Sequence, residues 1–566
     1  MPQTIEELTT QAPGTAGRDL SARPPQSQSI VSLLATLVFK EVHDLVLTLR
    51  FTVGTLIAVI LAVLAAYIGS LDYNARLDSY QTKLKLNREA VSRTTVYSFL
   101  QPTAVRPPEP LSILHHGLEG RLGTDFEVSV DTENTEARGE NRGNEYLSIF
   151  TEVDLTVIVA VILGLLALLF TFDAVCGERE AGMLKLVMSY PLSRSQLLLG
   201  KYLGAWITLM LPATLACLLS LLVVGLVANV HFGPPEIARL GVILVFYALY
   251  LSLMLLVGLV ISSFAQRSSL ALVFAAFAWF FFVTVVPNLA TMIPDFVGER
   301  GRIYQTAMEG LKQVEKEQRA AADVVKDPRE GFSFYYAINN NWGGFTVFEC
   351  SMGDRKFYDQ LREFFGQRIP MSLKFAAHRA EVWRQYIRYR ERQAAIARGL
   401  SFLSPSAVFQ NAMGFASGTS QADYKHFITL ASQYRNTFLD YLGRKGAFTS
   451  QRWFTQNPPD QDRSWTTLYL GKTADELTAS GARPDDVANK MIRDQSMWAK
   501  AMELEKRWHE SPDYFLPLGD LPAFTYARLA TGAALVQAAP EIAYLLGLNL
   551  ILFLVAFMRF VHYDVR

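Results

Sequence analysis

Thr171-Phe-Asp-Ala-Val-Cys-Gly-Glu-Arg-Glu-Ala-Gly-Met-Leu-Lys-Leu-Val-Met-Ser-Tyr-Pro-Leu-Ser-Arg194 is a charged, helix-favouring segment set between two long apolar runs. Residues 153–172 precede it and residues 202–230 follow it, each about the length that crosses a roughly 30 Å hydrocarbon layer. Glu178, Arg179, Glu180 and Lys185 are polar, whereas Met183, Leu184, Leu186, Val187 and Met188 are apolar. This composition suits a short helix half-sunk at a membrane surface and half-exposed to a soluble partner. Pro191 ends it, and Ser193-Arg194 restarts the chain toward the next apolar run. A purely structural interfacial helix is the alternative reading of the same residues.

Further apolar blocks lie near 51–69, 240–264, 269–293 and 542–558, giving six spans. The sequence therefore predicts a mainly α polytopic membrane protein with a large, mostly helical extracytoplasmic domain and minor β structure. Residues 1–30 are polar, rich in Pro, Ser, Gln and Thr, and read as a disordered cytoplasmic tail with no signal-peptide core. Residues 31–50 place Leu33, Leu34, Leu37, Val38, Val42, Leu45 and Leu49 on one stripe against Lys40, Glu41, His43 and Asp44. That spacing gives an amphipathic interfacial helix or, alternatively, a plain extension of the first span.

The expected layout continues with an extracytoplasmic loop over 70–150, the second span over 151–172, and a cytoplasmic coupling segment over 173–201. Spans three to five occupy 202–293, the extracytoplasmic domain 294–540, and the last span with a short tail 541–566. Basic residues in short connections set orientation. Lys40, Arg50, Arg179, Lys185, Arg194, Lys201, Arg267, Arg559 and Arg566 fall on one side, whereas Asn229–Glu236 holds no Lys or Arg. Both termini are thus expected in the cytoplasm.

The 53 basic and 53 acidic residues balance, which gives no reason to expect nucleic acid as a partner. The span centres carry no Asp, Glu, Lys, Arg or His, which argues against an ion-coupled carrier or proton pump. Pro212 falls inside the third span, either as a hinge or as a static kink. The fifth span carries Phe274, Phe277, Trp279, Phe280, Phe281 and Phe282, which either line a greasy conduit or pack helices and face lipid. With Asn549, the most polar residue of the last span, Pro212, Phe277, Phe280 and Phe281 are the candidates for a substrate path.

Of three cysteines, Cys176 reads as cytoplasmic, Cys217 as within the third span and Cys350 as external, so no external pair exists. No phosphate-loop motif, no His-Glu-x-x-His, no nucleophile elbow and no zinc-ligand spacing occurs, so no catalytic or metal residue is assigned. In the external region, residues 300–325, 355–398 and 421–446 show helical spacing, and Thr124–Val130 offers a strand. Asn339-Asn-Asn-Trp-Gly-Gly344 reads as a turn-like break in the helical run. Arg379, Arg384, Arg388, Arg390, Arg392 and Arg398 make one helix basic, either as a binding face for phosphate-bearing lipid or as a face paired with nearby Glu.

Gly177-Glu-Arg-Glu-x-Gly182, then Leu-x-Leu, Tyr-Pro-Leu-Ser-Arg194 and Gly200-Lys201 resemble the permease subunits of type-2 ABC exporters. The similarity is closest to the branch with nitrous-oxide-reductase maturation and gliding-motility permeases. A subgroup with enlarged external regions is similar in layout, and Leu403-Ser-Pro-Ser406 and Leu521-Pro-Ala-Phe524 resemble stretches of it. The resemblance implies that Gly177, Glu178, Arg179, Glu180, Gly182, Lys185, Pro191 and Arg194 form the coupling helix that docks on an ATPase. It also implies two copies of that ATPase, which hold ATP and Mg, while this chain binds no cofactor. A second permease chain, identical or related, and a periplasmic partner complete the expected assembly. Two other readings stay open: an ABC-powered energy transducer with no cargo crossing, and a membrane-anchored external enzyme or receptor.

Overall fold

The computed structural model describes residues 30–139, 153–183, 193–325, 340–342, 345–347, 355–456 and 510–562, with isolated positions between 472 and 507. Six helices are long and apolar enough to cross a membrane: Leu49–Ser92, Leu155–Glu180, Arg194–Val227, Pro234–Phe264, Ser268–Pro294 and Ala539–Val561. They are the first to sixth spans below. The second and fourth are the most enclosed by protein, and the fifth and sixth the least.

The second and fourth spans touch through small residues. A Cβ on Gly258 would stand 2.1 Å from Thr171 Oγ1 and 3.4 Å from the Leu168 Cα, so only glycine permits this approach. Thr171 Oγ1 also donates to the Leu255 carbonyl at 3.0 Å. Ser220 of the third span donates to Ala62 O of the first at 3.2 Å, and Asn74 Nδ2 to Val227 O at 2.9 Å. Such bonds tie helices where apolar packing has no hydrophobic advantage over lipid.

The first span's helix runs 44 residues, about 66 Å at 1.5 Å per residue, so it projects well beyond any bilayer. Its projecting end joins a polar domain made from the loop after it and from the chain between the fifth and sixth spans. Helix Arg300–Asp323 leaves the fifth span, and the 47-residue helix Arg355–Ser401 returns beside it. Helix Gln421–Arg444 carries Phe427, Ala431, Phe438 and Leu442 into a core with Phe126, Leu361, Phe365 and Trp453. Strand Asp125–Glu127 pairs antiparallel with Thr103–Val105, and a second small ladder joins Asn340–Trp342 to Phe345–Val347.

The basic face of the returning helix is internally paired. Arg384 bonds Glu133, Arg390 meets Glu136 at 2.6 Å, and Arg379 donates to the Asp131 carbonyl. The loop after the first span supplies these acceptors, which decides between the two readings of the arginine-rich helix in favour of pairing.

Sequence reading has no element matching helix Pro405–Ser417. Its 13 residues are too few to span, yet they pack among the fourth, fifth and sixth spans rather than in the polar domain. Ser404 caps it, accepting from Ala407 N at 3.1 Å, and Pro405 takes the first helical position. Phe409 stacks on Tyr250 with centroids 4.4 Å apart.

This wedge helix faces two π-helical turns, Val159–Leu163 and Phe281–Val285, where the regular ladder leaves carbonyls free. Side chains take them up. Tyr250 OH donates to Ala160 O at 2.8 Å, Trp279 Nε1 to Val161 O at 3.1 Å, and Ser404 Oγ to Phe282 O.

Candidate functional site

The segment after the second span is built by local rules. Within Leu155–Glu180 the apolar helix ends at Thr171, four turn residues follow, and the short helix Cys176–Glu180 closes the stretch. Ser262 of the fourth span accepts from the backbone N–H of Val175 at 2.9 Å and of Cys176 at 3.2 Å, satisfying groups at the short helix's start. Gly182 adopts φ +71°, the left-handed region, and its N–H bonds Arg179 O at 3.0 Å, which terminates the helix.

Three side-chain ties fasten this segment. Arg50 Nη1 lies 3.0 Å from Asp173 Oδ2, and its guanidinium stacks over Phe172 at 4.9 Å. Glu180 accepts from Ser268 N at 3.0 Å and Ser268 Oγ at 2.7 Å, which caps the fifth span. Lys201 Nζ, on a side chain only 5% exposed, sits 2.6 Å from Glu178 Oε1 and 3.1 Å from Glu41 Oε1. The ammonium therefore joins the short helix, the third span and the N-terminal helix Ile30–Val46.

The last of these contacts needs small residues. A Cβ on Gly204 would come 2.5 Å from Glu41 Cβ, and one on Gly200 3.1 Å from Leu37 Cβ. Glycines four apart open one face of the third span to the N-terminal helix.

Of the residues read as the coupling element, Gly177 stands against the fifth span's start, and Glu178 is partly buried on Lys201. Arg179, Glu180 and Gly182 are exposed together with Met183. Arg194 donates to the Val561 carbonyl at the end of the sixth span. Lys185 and Pro191 lie outside the described residues, as does Cys350. Glu41, Asp173, Ser262 and Lys201 were not singled out as a site. The small-residue pair Gly200/Gly204 was the readable signal for Lys201, whereas nothing local marks Glu41 as its partner.

The candidate path residues do not converge. Phe277, Phe280 and Phe281 lie on the exposed side of the fifth span, with Phe277 and Phe281 stacked at 6.0 Å. Pro212 is buried in the third span. Asn549 belongs to a polar ladder: Tyr202 OH and Ser252 Oγ stand 2.6 Å apart, Ser252 Oγ donates to Asn549 Oδ1, and Asn549 Nδ2 donates to Leu249 O at 3.1 Å. It locks the sixth span onto the fourth.

At the opposite end of the bundle, buried charges join the polar domain to the spans. Arg76 bonds Asp72 at 2.8 Å and Glu119 at 2.7 Å, and Arg528 holds Glu109 at 2.8 Å. Arg239 of the fourth span donates to Leu529 O. Burial pushes the Glu109 carboxyl up to about 7 despite the facing Arg528, with Glu119 adding to the rise. Asp154 caps the second span, accepting from Val157 N at 2.8 Å and His116 N at 2.9 Å, with His115 at 3.3 Å. Burial alone would raise its pKa, but His115 and these two N–H groups hold it below the usual carboxylate range. Arg398 clamps Glu541, which is fully buried at the head of the sixth span, through two 2.7 Å bonds.

Six spans, a short tethered helix after the second and a polar domain before the last define a transmembrane transporter-type architecture. The model of the ABC-2 family transporter proteins matches residues 35–565, and this chain belongs to that family. Part of the chain is 38% identical over 141 residues to the "Probable ABC transporter permease protein NosY" of Pseudomonas aeruginosa, covering 24% of this chain and 48% of that protein. The protein of the same name from Stutzerimonas stutzeri is 30% identical over 148 residues, 24% of this chain and 51% of its own length. The chain thus spans about half the length of the curated relatives it matches.

Proposed function

We propose that this chain is the permease subunit of an ABC transporter, working as an exporter in a bacterial plasma membrane with both termini cytoplasmic. Two copies of a separate ATPase, which hold ATP and Mg, dock on the segment around Gly177–Arg194, and a second permease chain, identical or related, completes the membrane part. The observation that carries this reading is the tethering of the exposed Arg179–Met183 turn. It hangs from a helix bonded through Glu178 to Lys201, which also holds Glu41, through Glu180 to Ser268, and at Cys176 to Ser262 of the fourth span. A push on that turn bears on the N-terminal helix and on the third, fourth and fifth spans together. A loop serving only to connect needs no such ties.

The test is the pair Arg179→Glu and Met183→Glu, both exposed, in chain purified with its native membrane partners. Transport-stimulated ATP hydrolysis should fall by an order of magnitude while the protein inserts and melts as the parent does. Unchanged stimulation would sink the docking role. Glu178 is a poorer site for such a test, because changing it also breaks the Lys201 cluster.

A second reading keeps the ATPase but has no cargo cross, the polar domain acting on a periplasmic partner. The Arg398–Glu541 clamp supports it, since it couples a 47-residue helix directly to a span. Deletion of most of 300–510 separates the two: an exporter keeps part of its stimulated ATPase, whereas a transducer loses all output.

A further inference from the structure

The long helix Arg355–Ser401 ends inside the membrane part, and two bonds fix its depth against the fifth span. Gln393 Nε2 donates to Pro294 O at 3.1 Å, and Ser404 Oγ, just past the helix, donates to Phe282 O. Residues 393–404 therefore run antiparallel to residues 282–294. The fifth span begins at Ser268. Counted from there at about 1.5 Å per residue, Phe282 stands about 21 Å along, well inside a roughly 30 Å hydrocarbon layer. Pro294 stands about 39 Å along, among the headgroups. The helix thus enters the leaflet nearer the polar domain at about Gln393, and Leu403 lies at acyl-chain depth.

The inward face of this end is committed. Arg398 clamps Glu541, and Phe402 meets Tyr544 of the sixth span edge-on at 5.5 Å. The outward face is open. Arg392, Ala395, Ile396, Gly399 and Leu403 follow helical spacing and are all exposed, Ile396 by 55% and Leu403 by 65%. A Cβ on Gly399 would meet nothing within 4 Å. At the same depth the fifth span leaves Leu289 and Met292 exposed, so this stripe belongs to the bilayer-facing surface.

Arg392 stands at the water end of the stripe. Arg379, Arg384, Arg388, Arg390 and Arg398 each meet an acceptor. Arg392 has no such partner among the described residues, and the adjacent Glu391 is taken by Lys425 at 2.8 Å. An open cation at headgroup level, directly above exposed apolar side chains, complements a phosphate above its acyl chains.

We propose that this stripe seats a phospholipid of the leaflet nearer the polar domain, its acyl chains on Ile396 and Leu403 and its phosphate on Arg392. The lipid anchors the long helix in that leaflet less than two turns from the Arg398–Glu541 clamp. The seat requires only that the six apolar helices span the bilayer, and it is independent of how an ATPase docks.

The test places photoreactive benzoylphenylalanine singly at three positions of the full chain, in nanodiscs of equal phosphatidylcholine and phosphatidylglycerol. The positions are Ile396, Gln385 on the same face about three turns toward water, and Leu222, exposed in the third span, as the lipid-facing control. Mass spectrometry after illumination should find lipid adducts at 396 and 222 and none at 385. At 396 phosphatidylglycerol should be captured about fivefold more than phosphatidylcholine, the preference one basic residue confers at an anionic surface. Arg392→Gln, an exposed change, should bring that ratio within about twofold and leave the ratio at 222 as it was. An adduct at 396 with a second copy or another protein means that a protein covers the stripe and overturns the proposal. So does the absence of any adduct at 396 while 222 labels, or a lipid ratio that Arg392→Gln leaves unaltered.

Discussion

Replacing Lys201 by methionine removes the cation that Glu178 and Glu41 share. Both carboxylates lie within 3.1 Å of its nitrogen, so they stand no more than about 6 Å apart. At an effective dielectric of about 20 their repulsion is about 3 kcal/mol. The Glu178 and Glu41 side chains are 23% and 18% exposed, which lets water reach them and reduces the cost. A destabilisation of about 2–3 kcal/mol follows, at or below the roughly 3–5 seen when one partner of a fully buried pair is deleted. Neutralising Glu178 then has opposite effects on two backgrounds. In the parent, Glu178→Gln should cost about 1 kcal/mol through the lost charge-assisted bond; in the Lys201→Met protein the same change should recover about 1–2 by ending the repulsion. Reversible unfolding of the four proteins in mixed micelles, titrated with a denaturing detergent, gives the cycle. If Glu178→Gln costs the same on both backgrounds to within about 0.5 kcal/mol, the three groups do not act as a unit and the reasoning is refuted.

Two further outcomes are expected. Gly258→Ala drives a methyl into Thr171 Oγ1 and should cost about 1–3 kcal/mol by forcing the second and fourth spans apart; Thr171→Ala on that background should recover most of it, and unfolding midpoints of the pair check this. Glu109 holds a proton in the fold at pH values where the unfolded chain, with an ordinary value of 4.5, has lost it. Its contribution to stability therefore falls as pH rises from about 4.5 to about 7 and is level above that. Glu109→Gln should flatten this part of the pH–stability profile and stabilise the protein most at pH 8, whereas an unaltered slope would contradict it.

The six apolar windows were legible because hydrocarbon imposes its length on any helix that crosses it, and no soluble core demands so many. The helical stretches of the polar domain and the strand near residue 125 were legible from periodicity. The wedge helix was not. Val408, Phe409, Ala412, Met413 and Ala416 repeat with helical spacing, but a 13-residue apolar helix reads the same in a soluble core as among spans. The charge clusters were hidden for another reason. Glu41 and Lys201 lie 160 positions apart, and Arg528 and Glu109 lie 419 apart. Spacing cannot relate such residues. Each reads alone as an ordinary charge near a span end, and only the fold makes them a site. Asn549 was conspicuous as a polar residue in an apolar run, but the Ser252 that answers it is one serine among many.

The bonds also limit how motion could pass through the molecule. The second and fourth spans are the least compliant pair, held by the Gly258 contact, the Thr171 bond and the Tyr250–Ala160 tie. On the proposed docking, motion entering at Arg179–Met183 would meet that pair directly through Ser262 and would also reach Lys201 and so the third span. From there Ser220 and Val227 are bonded to Ala62 and Asn74 of the first span, where Arg76, two residues beyond Asn74, enters the charge cluster beneath the polar domain. The wedge helix takes the other branch, from the fourth span through Phe409 to the long helix and its Arg398–Glu541 clamp. The first branch depends on hydrogen bonds and charge pairs between helices that can slide; the second depends on close packing, which resists sliding. A transporter of this build is therefore expected to pivot the first and third spans, with the N-terminal helix, against a fixed block made of the second and fourth.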